Sequence, residues 1–291
     1  MKKIIEKAGI LIEALPYIQM FKGKITVVKF GGSMMDDHSW VEKILTDIVF
    51  LYTVGIRPLI VHGGGDKISD AMKKMGKKPR FVQGFRVTDE ETIETVEKVL
   101  FEDINASLVE MIEQIGGKAM GLSGKRHNII MAKKHRLNPP FDNEDLGFVG
   151  DVQAVYPQAI TSVLNQNIIP VIAPVAFGED GHTYNINADI AAGEIARSIG
   201  TEKLVFITDV AGILTDPSDE SSLMSHLNTN SVQELIDKGV ISGGMIPKVT
   251  AGLRAVQSGV HKTHIIDGRL PHSLLLEIFT DKGIGTEIVQ K

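Results

Sequence analysis

Six short runs of β-branched and other apolar residues recur along this chain and constrain its fold more than any other feature: "ITVVKF", "PLIVHG", "NIIMA", "IIPVIAPV", "KLVFITDV" and "THIID". They mostly do not alternate apolar with polar, so both faces of each strand are expected to be buried. Segments of helical period separate them, over residues 39–53, 66–75, 89–114, 187–199, 231–238 and 247–258. Parallel strands need crossovers of that length, and the pattern predicts an α/β fold with an open, mainly parallel central sheet and helices on both faces. Helix starts are marked by "TDEE" at 88–91 and by Pro247 near an N-terminus.

Composition narrows the chemistry. The 291 residues suffice for one large or two medium domains. There is no cysteine, which excludes a disulfide scaffold, a thiolate metal site and cysteine nucleophilic catalysis, and a reducing, cytoplasmic setting fits most easily. A net charge of −5 offers no footprint for nucleic acid, and the short basic run "KKMGKKPR" at 73–80 reads as solvated surface. No segment is apolar for the roughly 18 residues needed to span a bilayer. The first 22 residues form an arm in which Ile4, Ala8, Leu11, Ile12 and Leu15 make one apolar stripe ending at Pro16. That arm either packs on its own domain or docks on another subunit. Residues 135–151, polar with two prolines, read as a β-hairpin or mobile loop, and 177–185 reads as the boundary between two lobes, 23–178 and 179–291.

In an open α/β sheet, ligands sit outside the carboxyl ends of the strands. The residues collected there are Lys29, Gly31 and Gly32 after the first strand, His62 with Gly63, Gly64 and Gly65 after the second, and Thr208 with Asp209 after a later one. Glycines lack a Cβ, so successive backbone N–H groups can approach an anion closely, although glycines after strands also simply make tight turns. Neither familiar phosphate fingerprint is present: "GGSMMD" is not G-x-G-x-x-G, and Gly124–Lys125 lacks the rest of a G-x-x-x-x-G-K-[ST] loop. Asn185, Asn187 and Asp189 fall at alternate positions before an alanine-rich helix, where Asn187 or Asp189 also suits a helix cap. Lys248 follows a glycine pair in "SGGMIPKV".

Taken together, "KFGGS", "HGGG", "GFRVTD", "NINAD", "TDVAGIL", "GGMIPK" and "HIIDGRLPHSLLLEIFT" resemble the amino-acid kinase family from about residue 24 to 289, and most closely its branch that phosphorylates N-acetyl-L-glutamate. Phe85 stands where that branch usually has leucine, a change expected to affect packing only. The resemblance implies transfer of the ATP γ-phosphoryl group to the substrate's side-chain carboxylate, with Mg²⁺ carried by the ATP phosphates. A carboxylate is already ionised at neutral pH, so no general base is needed, and catalysis reduces to positioning and charge stabilisation.

By the same resemblance, Lys29 and Lys248 flank the transferring phosphoryl and Asp189 holds both lysines. Gly64, Gly65, Arg86, Asn185 and Asn187 bind the substrate, and Gly31, Gly32, Thr208 and Asp209 serve the nucleotide. The 23–178 lobe would bind N-acetylglutamate and dimerise, while the 179–291 lobe would bind ATP. The arm, with Tyr17 in "LPYIQMF", and the positions His264, Glu277 and Gly283 resemble those of arginine-inhibited members. That implies L-arginine as inhibitor, a homodimer assembling to a homohexamer, and room for a PII-type regulator. The residues also leave three competitors: another acyl or nucleotide kinase, a silent small-molecule sensor, and a nicotinamide-dependent oxidoreductase, the last disfavoured by the missing glycine fingerprint.

Overall fold

A computed structural model describes residues 2–137, 139, 141–216, 218–280 and 283–290, with side chains from residue 8 onward. The chain opens with α1 (Lys2–Phe21), β1 (Ile25–Phe30), α2 (His38–Thr53), β2 (Arg57–His62) and α3 (Gly65–Lys74). A small hairpin, β3 (Phe81–Val82) and β4 (Phe85–Arg86), precedes α4 (Glu90–Glu97), a π-helical segment Lys98–Asn105 and α5 (Ala106–Gln114). Next come β5 (Ala119–Ser123), β6 (Ile130–Lys134), β7 (Gly150–Val155), α6 (Gln158–Asn165), β8 (Ile169–Ala173), β9 (Val175–Gly178) and β10 (Thr183–Asn185). The remainder is α7 (Ala188–Ile199), β11 (Lys203–Thr208), β12 (His226–Asn228), α8 (Thr229–Asp237), α9 (Met245–Gln257), β13 (Lys262–Asp267), α10 (Ser273–Ile278) and β14 (Thr286–Val289).

Among the described residues, eight strands form the central sheet in the order β12-β14-β13-β11-β1-β2-β8-β5. All are mutually parallel except β14, which runs against β13, and β12, which follows β14. Successive side chains of β1 explain the layering. Val28 and Phe30 enter a core shared with α2, the π segment and α10, whereas Val27 enters a core shared with α6, α7 and α9. Period-2 alternation therefore sends Lys29 to the α7–α9 side. Because β1 is flanked by β2 on one side and β11 on the other, the strand order reverses at β1, and a ligand crevice opens beyond its carboxyl end.

The structure corrects several expectations. The "NIIMA" run is in a separate four-stranded sheet, β10-β9-β6-β7, and the "IIPVIAPV" run is split between the two sheets. Residues 177–185, where the boundary between the two lobes was expected, form the β9–β10 hairpin of that smaller sheet, and the central sheet takes strands from both sides of it. The 135–151 stretch agrees with the hairpin alternative, bridging antiparallel β6 and β7; Leu137, Leu146 and Val149 bury themselves against Val82, Phe85 and Val87, while residues 138 and 140 lie outside the described ones. At α4, Asp89 rather than Thr88 is the N-cap and accepts from the Thr92 N–H, because the Thr88 hydroxyl donates to the Arg86 carbonyl.

Helix α1 does not stop at Pro16. Proline removes one helical hydrogen bond, but the turn beyond it is anchored: Phe21 is buried and Lys203 lies 4.8 Å over its ring. The side chains of Ile10, Leu11, Ile12, Leu15 and Met20 are exposed, so the apolar face is not packed on its own domain, and Ile4 lies outside the residues with described side chains.

Candidate active site

Beyond the carboxyl ends of β1 and β2 lies a cleft of about 220 Å³. Lys29 and Asp189 line it and form an ion triad with Lys248, which lies behind Asp189 and does not itself line the cleft. Lys29 Nζ lies 2.6 Å from Asp189 Oδ1, and Lys248 Nζ lies 3.0 Å from Asp189 Oδ2. The first contact is an ion pair without hydrogen-bond alignment, whereas Lys248 donates a proper hydrogen bond. Burial works to raise the Asp189 pKa, but the two ammonium groups outweigh it and hold the carboxyl below its ordinary value. Burial, with Lys248 adding to it, holds the Lys29 pKa below its ordinary value, and Asp189 offsets only part of that lowering. With all three ionised, the triad carries one net positive charge, which favours an incoming anion.

Sequence explains how these groups arrive. Lys29 is delivered by β1 and Lys248 by the first turn of α9, while Asp189 lies in the first turn of α7. Asn187 is the N-cap of α7: its Oδ1 accepts from the N–H groups of Asp189 and Ile190. Its side-chain oxygen is therefore committed, and the NH₂ is the part left for a ligand.

The opposite wall is made of backbone. Gly32, in the left-handed region at φ 64°, and Gly63, Gly64 and Gly65 line it. Gly31 is not on the wall; a Cβ there would lie 2.7 Å from Gly63 Cα, so its role is to let the two loops touch. Arg86 closes the far end, buried, with Nη2 donating to Gly65 O at 2.6 Å and to Ser69 Oγ at 2.8 Å, and its guanidinium 4.6 Å from the Phe81 ring. Asn185 and Phe85 also line the cleft, and Phe85 stacks on His135 as well. The departure at Phe85 thus faces the cleft in addition to packing.

Thr208 and Asp209 lie outside this cleft, at the end of β11 beside β1. Ser33 Oγ donates to Asp209 Oδ2 at 2.7 Å, joining the loops after β1 and β11. No group of three or more histidine, cysteine, aspartate or glutamate side chains among the described residues is placed to hold a metal ion.

A second cavity, of about 300 Å³, gathers Tyr17, His264, Glu277 and Gly283. Glu277 is buried rather than on a helix surface. His264 Nδ1 is 2.6 Å from Glu277 Oε1, and Glu277 Oε2 accepts from the Ile284 and Gly285 N–H groups at 2.7 and 3.2 Å. An ammonium only donates, so His264 Nε2 accepts from Lys203 Nζ at 3.2 Å and Nδ1–H donates to Glu277, while burial pushes the His264 pKa below its ordinary value. Lys203 was missed from sequence because a lysine opening a strand looks like a solvated end; its place in a fully buried run was the signal.

Known proteins agree with this architecture. The model of the amino acid kinase family matches residues 24–267. An acetylglutamate kinase of Pelotomaculum thermopropionicum is 54% identical, covering 97% of this chain and 98% of its own, and one of Heliobacterium modesticaldum is 51% identical over the full length of both. A solved N-acetylglutamate synthase from Neisseria gonorrhoeae superposes with a TM-score of 0.85 at 24% identity; 98% of this chain is covered but 63% of that longer one, and the likeness speaks for the fold alone. With a family model over most of its length and relatives at half identity from end to end, the chain belongs to the amino acid kinase family.

Proposed function

We propose that this kinase transfers the γ-phosphoryl group of ATP to the side-chain carboxylate of N-acetyl-L-glutamate, giving an acyl phosphate in arginine biosynthesis. The observation that carries the reading is the convergence of Lys29 and Lys248 on Asp189, facing a glycine wall that ends in Arg86. The two lysines arrive from separate lobes and neutralise the charge on the transferring group; Asp189 keeps them apart and aimed. Gly32 and Gly64 offer N–H groups to phosphoryl oxygens, and Arg86, pinned by Gly65 and Ser69, meets the α-carboxylate. Asn185, the NH₂ of Asn187 and Gly65 hold the acetyl-amino part. The 179–291 lobe takes ATP beside Thr208 and Asp209. Mg²⁺ rides on the ATP phosphates, where it neutralises charge.

ADP release with MgATP and N-acetyl-L-glutamate, with glutamate, aspartate and UMP in parallel, tests this. Turnover that needs N-acetyl-L-glutamate and collapses in Lys248→Ala is expected. Folded protein that turns over another acceptor instead overturns the substrate assignment.

Feedback inhibition by L-arginine is the second part of the proposal. The cavity beside α1 presents a buried carboxylate, Glu277, suited to a guanidinium, with Tyr17, His264 and Gly283 around it. The exposed apolar face of α1 supports assembly of dimers into a hexamer through that helix. Truncation of the first 20 or so residues that left arginine inhibition intact would remove the arm from this scheme.

A further inference from the structure

Behind the glycine wall, three groups that do not line the cleft fix the direction of one backbone amide. His62, fully buried at the end of β2, has Nδ1 2.9 Å from Gly63 O and Nε2 3.1 Å from Asn105 Nδ2. Asn105 Nδ2 also lies 2.9 Å from Val171 O. A carbonyl only accepts, so the amide atom facing it is the NH₂. The same NH₂ donates to Nε2, which is therefore bare, and the ring proton sits on Nδ1 and is donated to Gly63 O. Burial is the main influence on the ring and lowers its pKa to about 4, keeping it in this neutral tautomer at working pH.

The peptide between Gly63 and Gly64 is planar and trans, so its C=O and N–H point in opposite directions. Holding the carbonyl against His62 turns the Gly64 N–H the other way, and that N–H has no acceptor among the described residues. The π-helical segment supplies the backing. A Cβ on Gly64 would lie only 2.8 Å from Leu100 Cδ2 and closer still to Ile104 Cδ1, so the backbone is pressed flat against that segment. An i→i+5 turn brings Leu100 and Asn105 onto one face, which is how one short segment both walls Gly64 and reaches His62.

We propose that His62 and Asn105 are positioning residues that hold the Gly63–Gly64 peptide so that the Gly64 N–H is aimed before charge develops on the phosphoryl oxygens. The inference rests on the oxyanion role of Gly64 proposed above. Preorganised donors of this kind act in the transition state and contribute little to ground-state binding.

The discriminating pair is His62→Asn against His62→Gln, with Asn105→Leu beside them. Asparagine places its NH₂ where Nδ1 stands, whereas glutamine carries its amide toward the Nε2 position. The readouts are kcat, both KM values, melting temperature, and affinity for MgADP with aluminium fluoride against MgADP alone, in the presence of N-acetyl-L-glutamate. In His62→Gln and Asn105→Leu, kcat is expected to fall about 100-fold with both KM values nearly constant. Affinity for the fluoride complex falls by the same factor and that for MgADP does not, while His62→Asn keeps most of the wild-type kcat. Equal losses in the two His62 variants, or a drop in melting temperature with kcat and fluoride affinity intact, overturn the positioning role. Wild-type protein that binds the fluoride complex no more tightly than MgADP overturns the Gly64 reading, and this inference falls with it.

Discussion

Gly31 and Gly63 press backbone to backbone, so closely that a Cβ on Gly31 would lie 2.7 Å from Gly63 Cα and 2.8 Å from its nitrogen. The reverse is milder: a Cβ on Gly63 would lie 3.1 Å from Gly31 Cα. Both loops follow neighbouring strands of the central sheet, and Gly63 N–H donates to Phe30 O at 2.8 Å. Gly31→Ala is therefore expected to force the loops apart and lower kcat about 100-fold, and Gly63→Ala to do markedly less. Steady-state ADP release from both variants checks the order, and a larger loss in Gly63→Ala would contradict the contact geometry.

The ion triad makes a prediction about pH. The proposed mechanism requires the charged Lys29 ammonium, and burial already lowers its pKa from 10.5 while Asp189 supports it. Asp189→Asn removes the supporting charge and leaves Lys248 opposing it. The alkaline limb of kcat/KM must then move to lower pH, beyond an overall loss of about 10²- to 10³-fold. A pH profile with the limb unmoved would show that Lys29 does not depend on Asp189 for its charge.

Glu277 carries a prediction for stability. Burial works to raise its pKa, but the bonds from His264, Ile284 and Gly285 hold it below the ordinary 4.5. Its ionised form thus stabilises the fold above pH 4.5, and that contribution is lost as pH falls through the lower folded value. Glu277→Gln should cost about 1–3 kcal/mol near neutral pH, and the gap to wild type should close on acidification. Urea melts at pH 7 and pH 4 measure it, and in the same variant arginine should no longer inhibit.

The exposed stripe of α1 predicts assembly behaviour. Leu11, 68% exposed, lies among Ile10, Ile12 and Leu15 on that helix. Leu11→Glu places a charge on any surface that covers the helix, so under the proposed assembly sedimentation should show hexamers for the wild type and dimers for the variant, with catalysis by the dimer unchanged. Identical sedimentation of the two proteins would exclude this face as the contact.

Much of the candidate site's geometry could be read before folding. The β1, β2, β11 and β13 runs were legible because burial on both faces removes any polar alternation, and the glycine clusters marked their carboxyl ends. Short or half-buried strands were not. β7 carries only partly buried residues along most of its length, and β14 has four residues in all. The runs that became β6 and β9 look like central strands because their apolar residues Ile130, Ala132, Val175 and Ala176 are buried, and nothing local assigns them to a second sheet. Asn105 was invisible for a different reason: the apolar period of residues 89–114 fits a plain α-helix, and one widened turn barely perturbs it.

That widened turn has a consequence for insertions and deletions. Each residue of an α-helix advances the chain about 100° around the axis. Deleting one residue between Leu100 and Asn105 would leave them four apart in ordinary α-helix, about 40° from one another, and so keep the wall and the Asn105 amide on one face. Inserting one there would instead carry that amide about a quarter-turn from His62 and leave the glycine loop without its backstop.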